Sequence, residues 1–291
     1  MTRPRGEIMA RERMGGYWRI RIRVPGWRSG VAGQFAMLQP ARPGVFLTRA
    51  LSLHEQRGED VSFLVAPIGE GTQDLCRCRG GEVVWVLGPL GRGFPLDEAF
   101  QSGGRVVVVA GGVGIAPFPP VLEGLLGLGL GDSVPDAGAA ADQITRERPD
   151  LLCLLGFRDA AQAEAASVLD RGVVSLQAAG WRTRVELATE DGGAGHAGLV
   201  TDLVAEMLMP GDRLLVCGPE RMCRAVWALC HRRPQVRAWF SLETKMACGF
   251  GSCHGCVVPL ADGGLVPVCR RGPVFAGEEV FGPAAGGGDA P

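Results

Sequence analysis

An excess of charge of either sign is missing from this chain. Thirty lysines and arginines stand against thirty-one aspartates and glutamates, a formal net charge of −1. No field of the whole molecule therefore draws it to nucleic acid or to a membrane surface. An unbroken apolar run of membrane length is missing too. The longest stretch, Val106 to Leu130, is interrupted by Pro117, Pro119, Pro120 and Glu123, whereas a spanning helix needs about 20 predominantly apolar residues. Met1 to Glu12 is polar and has no apolar signal-peptide core. Arginines crowd the N-terminal segment, at Arg3, Arg5, Arg11, Arg13, Arg19, Arg21, Arg23 and Arg28. In Arg19-Ile20-Arg21-Ile22-Arg23-Val24 they alternate strictly with apolar residues, which predicts a strand with one solvated face rather than a nucleic-acid arm.

What is present is cysteine, ten in all. Cys248, Cys253 and Cys256 stand in a C-x4-C-x2-C spacing among glycines, and Cys269 follows. That three-cysteine spacing is the plant-type iron–sulfur pattern. Gly249, Gly251 and Gly255 allow the sharp bends a short wrapping loop needs and let backbone N–H groups approach sulfur. Structural zinc also takes four cysteines, but it usually shows two paired knuckles. A disulfide framework suits a small secreted domain, and this chain is neither small nor visibly secreted. Unrelated buried thiols are the remaining reading. A Rieske centre needs two histidines on one iron, so His254 is expected to stand at the rim as a bystander. The expectation is a 2Fe–2S cluster on Cys248, Cys253, Cys256 and Cys269. With the other thiols, Cys76, Cys78, Cys153, Cys217, Cys223 and Cys230, it points to a reducing cytoplasm.

The 291 residues suffice for two domains and an appendage. From about 15 to 96 the chain reads as short strands between glycine and proline turns, such as Tyr17–Val24, Ala50–His54 and Val61–Ala66. That predicts a small antiparallel barrel. Arg49-Ala50-Leu51-Ser52 sets a guanidinium and a hydroxyl on one strand, and Arg suits a pyrophosphate; alone, an exposed strand arginine is the blander reading. Gly69-Glu70-Gly71-Thr72 reads as a glycine turn fit for phosphate, and alone it is a loop. From Gly104 the pattern changes. Val106–Ala110 is apolar and β-branched, as in a buried parallel strand. It leads through Gly111-Gly112-Val113-Gly114 to an apolar helix over Val121–Leu128. Strand, glycine turn and helix set a phosphate on a helix N-terminus, although Pro117 stands where a third fingerprint glycine would be. Strands at Leu151–Leu155, Thr183–Ala188 and Arg213–Cys217 alternate with helices at Ala160–Leu169 and Thr201–Met209, predicting a parallel sheet. Asp132–Asp150 reads as a mobile surface insertion and Ala284–Pro291 as a disordered tail.

In this order the motifs resemble the ferredoxin-NAD(P) reductase family: Arg-x-Leu-Ser, Gly-Glu-Gly-Thr, Ala-Gly-Gly-Val-Gly-Ile-Ala-Pro, Leu-Gly-Phe-Arg, Cys-Gly-Pro. The segment Glu243-Thr244-Lys245-Met246-Ala247-Cys248, with Val268-Cys269-Arg270-Arg271-Gly272-Pro273, is similar to the electron-transfer subunits of the two-subunit, NAD-linked dihydroorotate dehydrogenases. The resemblance implies an oxidoreductase subunit with FAD, a 2Fe–2S cluster and NAD. It implies a flavin barrel over 1–100, an α/β nucleotide domain over 101–240 and a cluster segment over 241–283, before a tail at 284–291. Arg49 and Ser52 would contact FAD, with Ala50 and Leu51 beside it. Leu64, Val65 and Ala66 stand where an aromatic and a basic residue are usual, so they would offer FAD backbone only. Gly71 and Thr72 would hold the flavin nucleotide's phosphates. Gly111, Gly112 and Gly114 would let NAD approach, and Cys217, Gly218 and Pro219 would lie near the nicotinamide. The implied partner is an FMN-containing dihydroorotate dehydrogenase catalytic subunit, in a heterotetramer of two of each. Electrons from dihydroorotate would pass through FMN, cluster and FAD to NAD, in pyrimidine biosynthesis. The alternative keeps the fold and serves a ferredoxin, a hydrogenase or another oxidoreductase. Arg158 suits a 2′-phosphate and Asp159 argues against it, so NAD and NADP both stay open.

Overall fold

A computed structural model describes residues 5–41, 47–97, 104–128, 150–230, 233 and 235–282. The tail from 284 and nearly all of the 132–150 insertion lie outside them. Among the described residues, the first half of the chain forms seven strands: β1 (Arg5–Met14), β2 (Tyr17–Arg23), β3 (Phe35–Pro40), β4 (Arg49–Ser52), β5 (Glu55–Arg57), β6 (Asp60–Val65) and β7 (Val83–Leu90). They pair antiparallel in the order β4-β3-β7-β1-β2-β6-β5. β4 also lies beside β6, which curls the sheet into a barrel around Ile20, Ile22, Leu38, Val61, Phe63 and Val84.

Two features of the barrel depart from the expectation. The arginine-rich N-terminal stretch forms β1, because Gly6 and Ile8 turn inward while Arg5 and Glu7 face solvent. The glycine segment read as a turn is instead the first turn of a helix, Glu70–Arg77. That helix buries Gly71, Leu75 and Cys76 on one face, a spacing too short to show as periodicity in the sequence.

The second half builds a sheet from β8 (Val106–Gly111), β9 (Leu151–Phe157), β10 (Thr183–Thr189), β11 (His196–Ala197), β12 (Arg213–Cys217) and β13 (Arg237–Ser241), all parallel. In β8, Val106, Val108 and Ala110 face one core and Val107 and Val109 the other. Helices Phe118–Leu125 and Asp170–Ala178 close the first core, and Val200–Met207 and Glu220–Cys230 the second. Full burial of a valine contributes about 1.5–3 kcal/mol, against about 0–1 kcal/mol for an exposed ion pair. Apolar layering, not the arginine–carboxylate pairs on the surface, therefore holds this sheet.

The C-terminal segment forms a small hairpin, β14 (Val257–Pro259) with β15 (Leu265–Pro267), and then β16 (Val274–Ala276). β16 adds antiparallel to β13, with Phe275 opposite Phe240, and ends the second sheet in the order β11-β10-β9-β8-β12-β13-β16. The same segment packs Cys256, Val268, Cys269 and Phe275 against Phe35 and Met37 of the barrel. Arg92 N donates to Gly272 O at 2.6 Å. The cysteine segment thus sits in the angle between the two larger units.

Candidate functional site

The cysteine loop takes left-handed backbone at Gly249 (φ 78°) and Gly251 (φ 90°). A side chain on Gly249 would run into Met37, and one on Gly251 into Arg270. Its thiols come as two pairs. Cys253 lies against Cys248, and Cys256 against Cys269, whose backbone N also points at Cys256 Sγ from 3.5 Å. Gly255 N donates to Cys253 Sγ at 3.4 Å. Desolvation opposes ionisation of Cys248, but N–H groups of Cys253, Phe250 and Ser252 outweigh it and bring the thiol down to about 6. Burial, then the neighbouring Cys256, pushes Cys269 up to about 12. No three such groups among the described residues close as they would around one metal ion. Two thiol pairs with N–H groups on sulfur are the donor set for two irons, two ligands each, so the residues fit a 2Fe–2S cluster. Cys256 and Cys269 are buried, while Cys253 and His254 are exposed.

On the barrel, β4 carries Arg49, Ala50, Leu51 and Ser52, all half-buried. Leu51 packs on the barrel core and Ala50 on the cysteine segment, and Thr48 Oγ1 donates to Ala247 O at 3.1 Å. The Arg49 guanidinium lies on the backbone of Gly71, where any side chain would collide with it. Strand cation and helix N-terminus therefore meet, because the side chain missing at Gly71 leaves the room the guanidinium fills. That arrangement fits an anionic pyrophosphate. Thr72 Oγ1 accepts from Gly69 N at 3.1 Å and donates to Gly69 O at 3.0 Å, so its hydroxyl shapes the helix start. Leu64 and Val65 point into cores and Ala66 packs beside them.

The second sheet brings its two glycine segments together at the carboxyl ends of β8 and β12. A side chain on Gly114 would strike Cys217 O, and one on Gly111 would sit 2.6 Å from Met222 Sδ and 2.9 Å from Pro219. A side chain on Gly218 would lie 3.0 Å from Gly111 N. These glycines let the two turns close on each other, and Gly112 (φ 56°) turns the chain between them. Burial, then Glu243 and Cys223, raises the Cys217 thiol. Asp159 Oδ1 accepts from Gln162 N at 2.8 Å and so caps the helix after β9, while Arg158 is exposed beside it.

Residues 243–281 match the family model described as the iron–sulfur cluster binding domain of dihydroorotate dehydrogenase B. The electron transfer subunit of dihydroorotate dehydrogenase B (NAD(+)) from Clostridium perfringens is 33% identical over 253 residues, covering 86% of each chain. The chain belongs to this family of electron-transfer subunits. The Bacillus caldolyticus subunit is 36% identical over 255 residues, covering 85% of this chain and 86% of its own. Among solved structures, an NADH-dependent reduced ferredoxin-NADP oxidoreductase is similar in fold, with TM-score 0.73 and 23% identity, covering 94% of this chain and 89% of that one. A ferredoxin NADP+ reductase from Neisseria gonorrhoeae with bound FAD and NADP gives TM-score 0.62 and 18% identity, covering 83% of this chain and all of that one. As an electron-transfer subunit of an oxidoreductase, the chain works with a catalytic partner subunit. No helix among the described residues is long and apolar enough to cross a membrane.

Tyr17, His54, Glu123 and Cys223 of this electron-transfer subunit are not among the site residues the sequence points to. Tyr17 is the only tyrosine; it is buried, with its hydroxyl donating to Gln162 Oε1 at 3.1 Å. His54 is fully buried and Glu123 nearly so. Glu243, Thr244, Cys223 and Gly218 line a cavity of about 200 Å³ beside the β12 turn. Desolvation raises the Glu243 carboxyl, although part of the side chain still meets solvent. Only the rarity of tyrosine, and a histidine closing an apolar strand, hinted at any of these.

Proposed function

We propose that this chain binds FAD on Arg49–Ser52 and Gly71, a 2Fe–2S cluster on Cys248, Cys253, Cys256 and Cys269, and NAD at the Gly111–Gly114 and Cys217–Pro219 turns. In this reading residues 1–100 serve the flavin, 101–240 the dinucleotide and 241–283 the cluster. When bound, the flavin exchanges a two-electron hydride with NAD and the cluster exchanges single electrons, so together they couple two-electron to one-electron chemistry. The observation that carries the proposal is the position of the cysteine segment. It packs on Met37 and Ala50 of the barrel, and β16 fastens it to the sheet that carries the glycine turns. One short segment thus places its sulfurs next to β4 while Cys253 stays exposed.

The chain's own residues do the positioning. Arg49 and the N–H groups above Gly71 hold negative charge. Leu64, Val65 and Ala66 offer backbone only. Gly218 lines the cavity beside Glu243, and with Cys217 and Pro219 it shapes the nicotinamide end. The partner in this reading carries FMN and oxidises dihydroorotate, two copies of each subunit assemble, and the complex works in the cytoplasm. The test is anaerobic addition of dihydroorotate and NAD to the copurified complex. NADH formation, lost when Cys253→Ser removes a ligand, is expected; NADH formation at the wild-type rate by a cluster-free complex would overturn the route.

A further inference from the structure

Three side chains of the barrel reach across to the second sheet: His54 and Arg57 bond one short stretch of it, and Tyr17, bonded to Gln162, stands against the start of that stretch. Tyr17 Oη lies 3.2 Å from the place a side chain on Gly112 would occupy, at the start of the glycine turn. His54 Nδ1 lies 2.9 Å from Ala116 O, at the end of that turn. A carbonyl only accepts, so Nδ1 carries the proton. Arg57 Nη2 pairs with Glu123 Oε1 at 2.5 Å, on the helix behind the turn. Packing alone does not call for a histidine at 54. Its Nε2 is buried with no hydrogen-bond partner among the described residues, a penalty that leucine of similar bulk would avoid. What the imidazole adds is one directed bond to the turn. Burial first keeps the ring neutral, lowering its pKa. His54 also stands two residues beyond Ser52, on the segment that carries Arg49.

We infer that His54 is a positioning residue that clamps the Gly111–Ala116 turn at a fixed separation from the Arg49–Ser52 strand, with Tyr17 packed against the other end of that turn. The inference rests on the flavin and dinucleotide reading of those two segments. Neither residue needs to touch a reacting atom. Hydride transfer is steeply sensitive to approach, and a misplacement of about 1 Å from a distant substitution can slow chemistry about 100-fold. A clamp between the flavin strand and the dinucleotide turn controls that separation directly.

The test uses the purified holoprotein. His54→Leu removes the bond and keeps the bulk, whereas His54→Asn keeps an N–H donor near the Nδ1 position. Hydrogen–deuterium exchange is read first, since it does not depend on activity. Faster amide exchange over residues 111–117 is expected in His54→Leu, with protection retained in His54→Asn. Stopped-flow reduction of the flavin by NADH should slow about 10- to 100-fold in His54→Leu, with NADH affinity and flavin content near wild type and most of the rate restored in His54→Asn. Tyr17→Phe deletes the hydroxyl that bonds Gln162 and faces Gly112 and keeps the ring, so it loosens the barrel at the other end of the turn even where His54→Leu does not fold; the same changes, smaller in size, are expected. Wild-type exchange and wild-type reduction rates in the folded variants overturn the clamp, as does loss of flavin in place of loss of rate. Failure of the unmodified holoprotein to bleach its flavin with NADH is a separate result, which overturns the electron-transfer reading itself.

Discussion

Arg49 shows how one side chain acquires two duties. It is half-buried on its strand, its Nη1 donates to Leu47 O at 2.7 Å, and its guanidinium covers Gly71 at a helix N-terminus. Removing it takes away a charge-assisted contact of about 1.5–3 kcal/mol, about 10- to 150-fold in Kd. Arg49→Ala is therefore expected to lose FAD on dialysis, measured as flavin per chain. Flavin content equal to wild type would make Arg49 an ordinary strand residue. Tyr17 supplies a second test, one that needs no cofactor. Burial first, and then the nearby Asp159 carboxylate, pushes its phenol up to about 12. A folded pKa above the unfolded value favours the folded state below the unfolded value of about 10, and that contribution is lost as pH rises toward about 12. With one tyrosine in the chain, tyrosinate absorbance reads this group alone. No tyrosinate is expected near pH 10, and half-ionisation there would place Tyr17 in solvent.

At the scale of the element, the cysteine loop depends on backbone as much as on sulfur. Gly249 needs φ of 78° and has Met37 against it. Gly249→Ala combines left-handed strain, about 1–2 kcal/mol for a residue with a Cβ, with a collision. It should lower iron and sulfide together while leaving flavin bound. The intact loop should contain iron and acid-labile sulfide in equal amounts when purified without oxygen. Zinc in place of iron, with no sulfide, would reject a cluster on Cys248, Cys253, Cys256 and Cys269. The helix Glu70–Arg77 makes the opposite point, since Gly71 matters there for the side chain it lacks. Gly71 is defined by the arginine lying on it from another strand.

For the whole molecule, the arrangement decides where a partner must approach. Cys256 and Cys269 are covered by the chain's own barrel, and the open side is the Cys253-His254-Gly255 rim with Phe250 57% exposed beside it. A group that hands electrons to another protein has to lie near a surface the partner covers. His254→Glu adds a charge there, and an unpaired charge buried in an interface is strongly unfavourable. The variant is expected to lose dihydroorotate-to-NAD transfer with the catalytic subunit while keeping NADH-driven dye reduction. Complex formation and coupled turnover at wild-type levels would move the interface to another face.

The local chemistry was legible from the chain alone, because it rests on short-range requirements. Four cysteines at those spacings, glycines where the backbone must bend, and a β-branched run before a glycine turn each show a local requirement within a few residues. Alternation in Arg19–Val24 announced β2 for the same reason. Tertiary structure decided what depends on groups far apart in sequence. Arg49 and Gly71 carry no mark of their contact until the guanidinium lies across the glycine. Gly111, Gly114 and Gly218 read as openings for a ligand, yet their missing side chains first serve to let two turns meet. His54, Tyr17 and Glu123 are unremarkable in the sequence. Each becomes significant only when the barrel docks on the second sheet, because a hydrogen bond or ion pair records its partner's position in space and leaves no period in the chain.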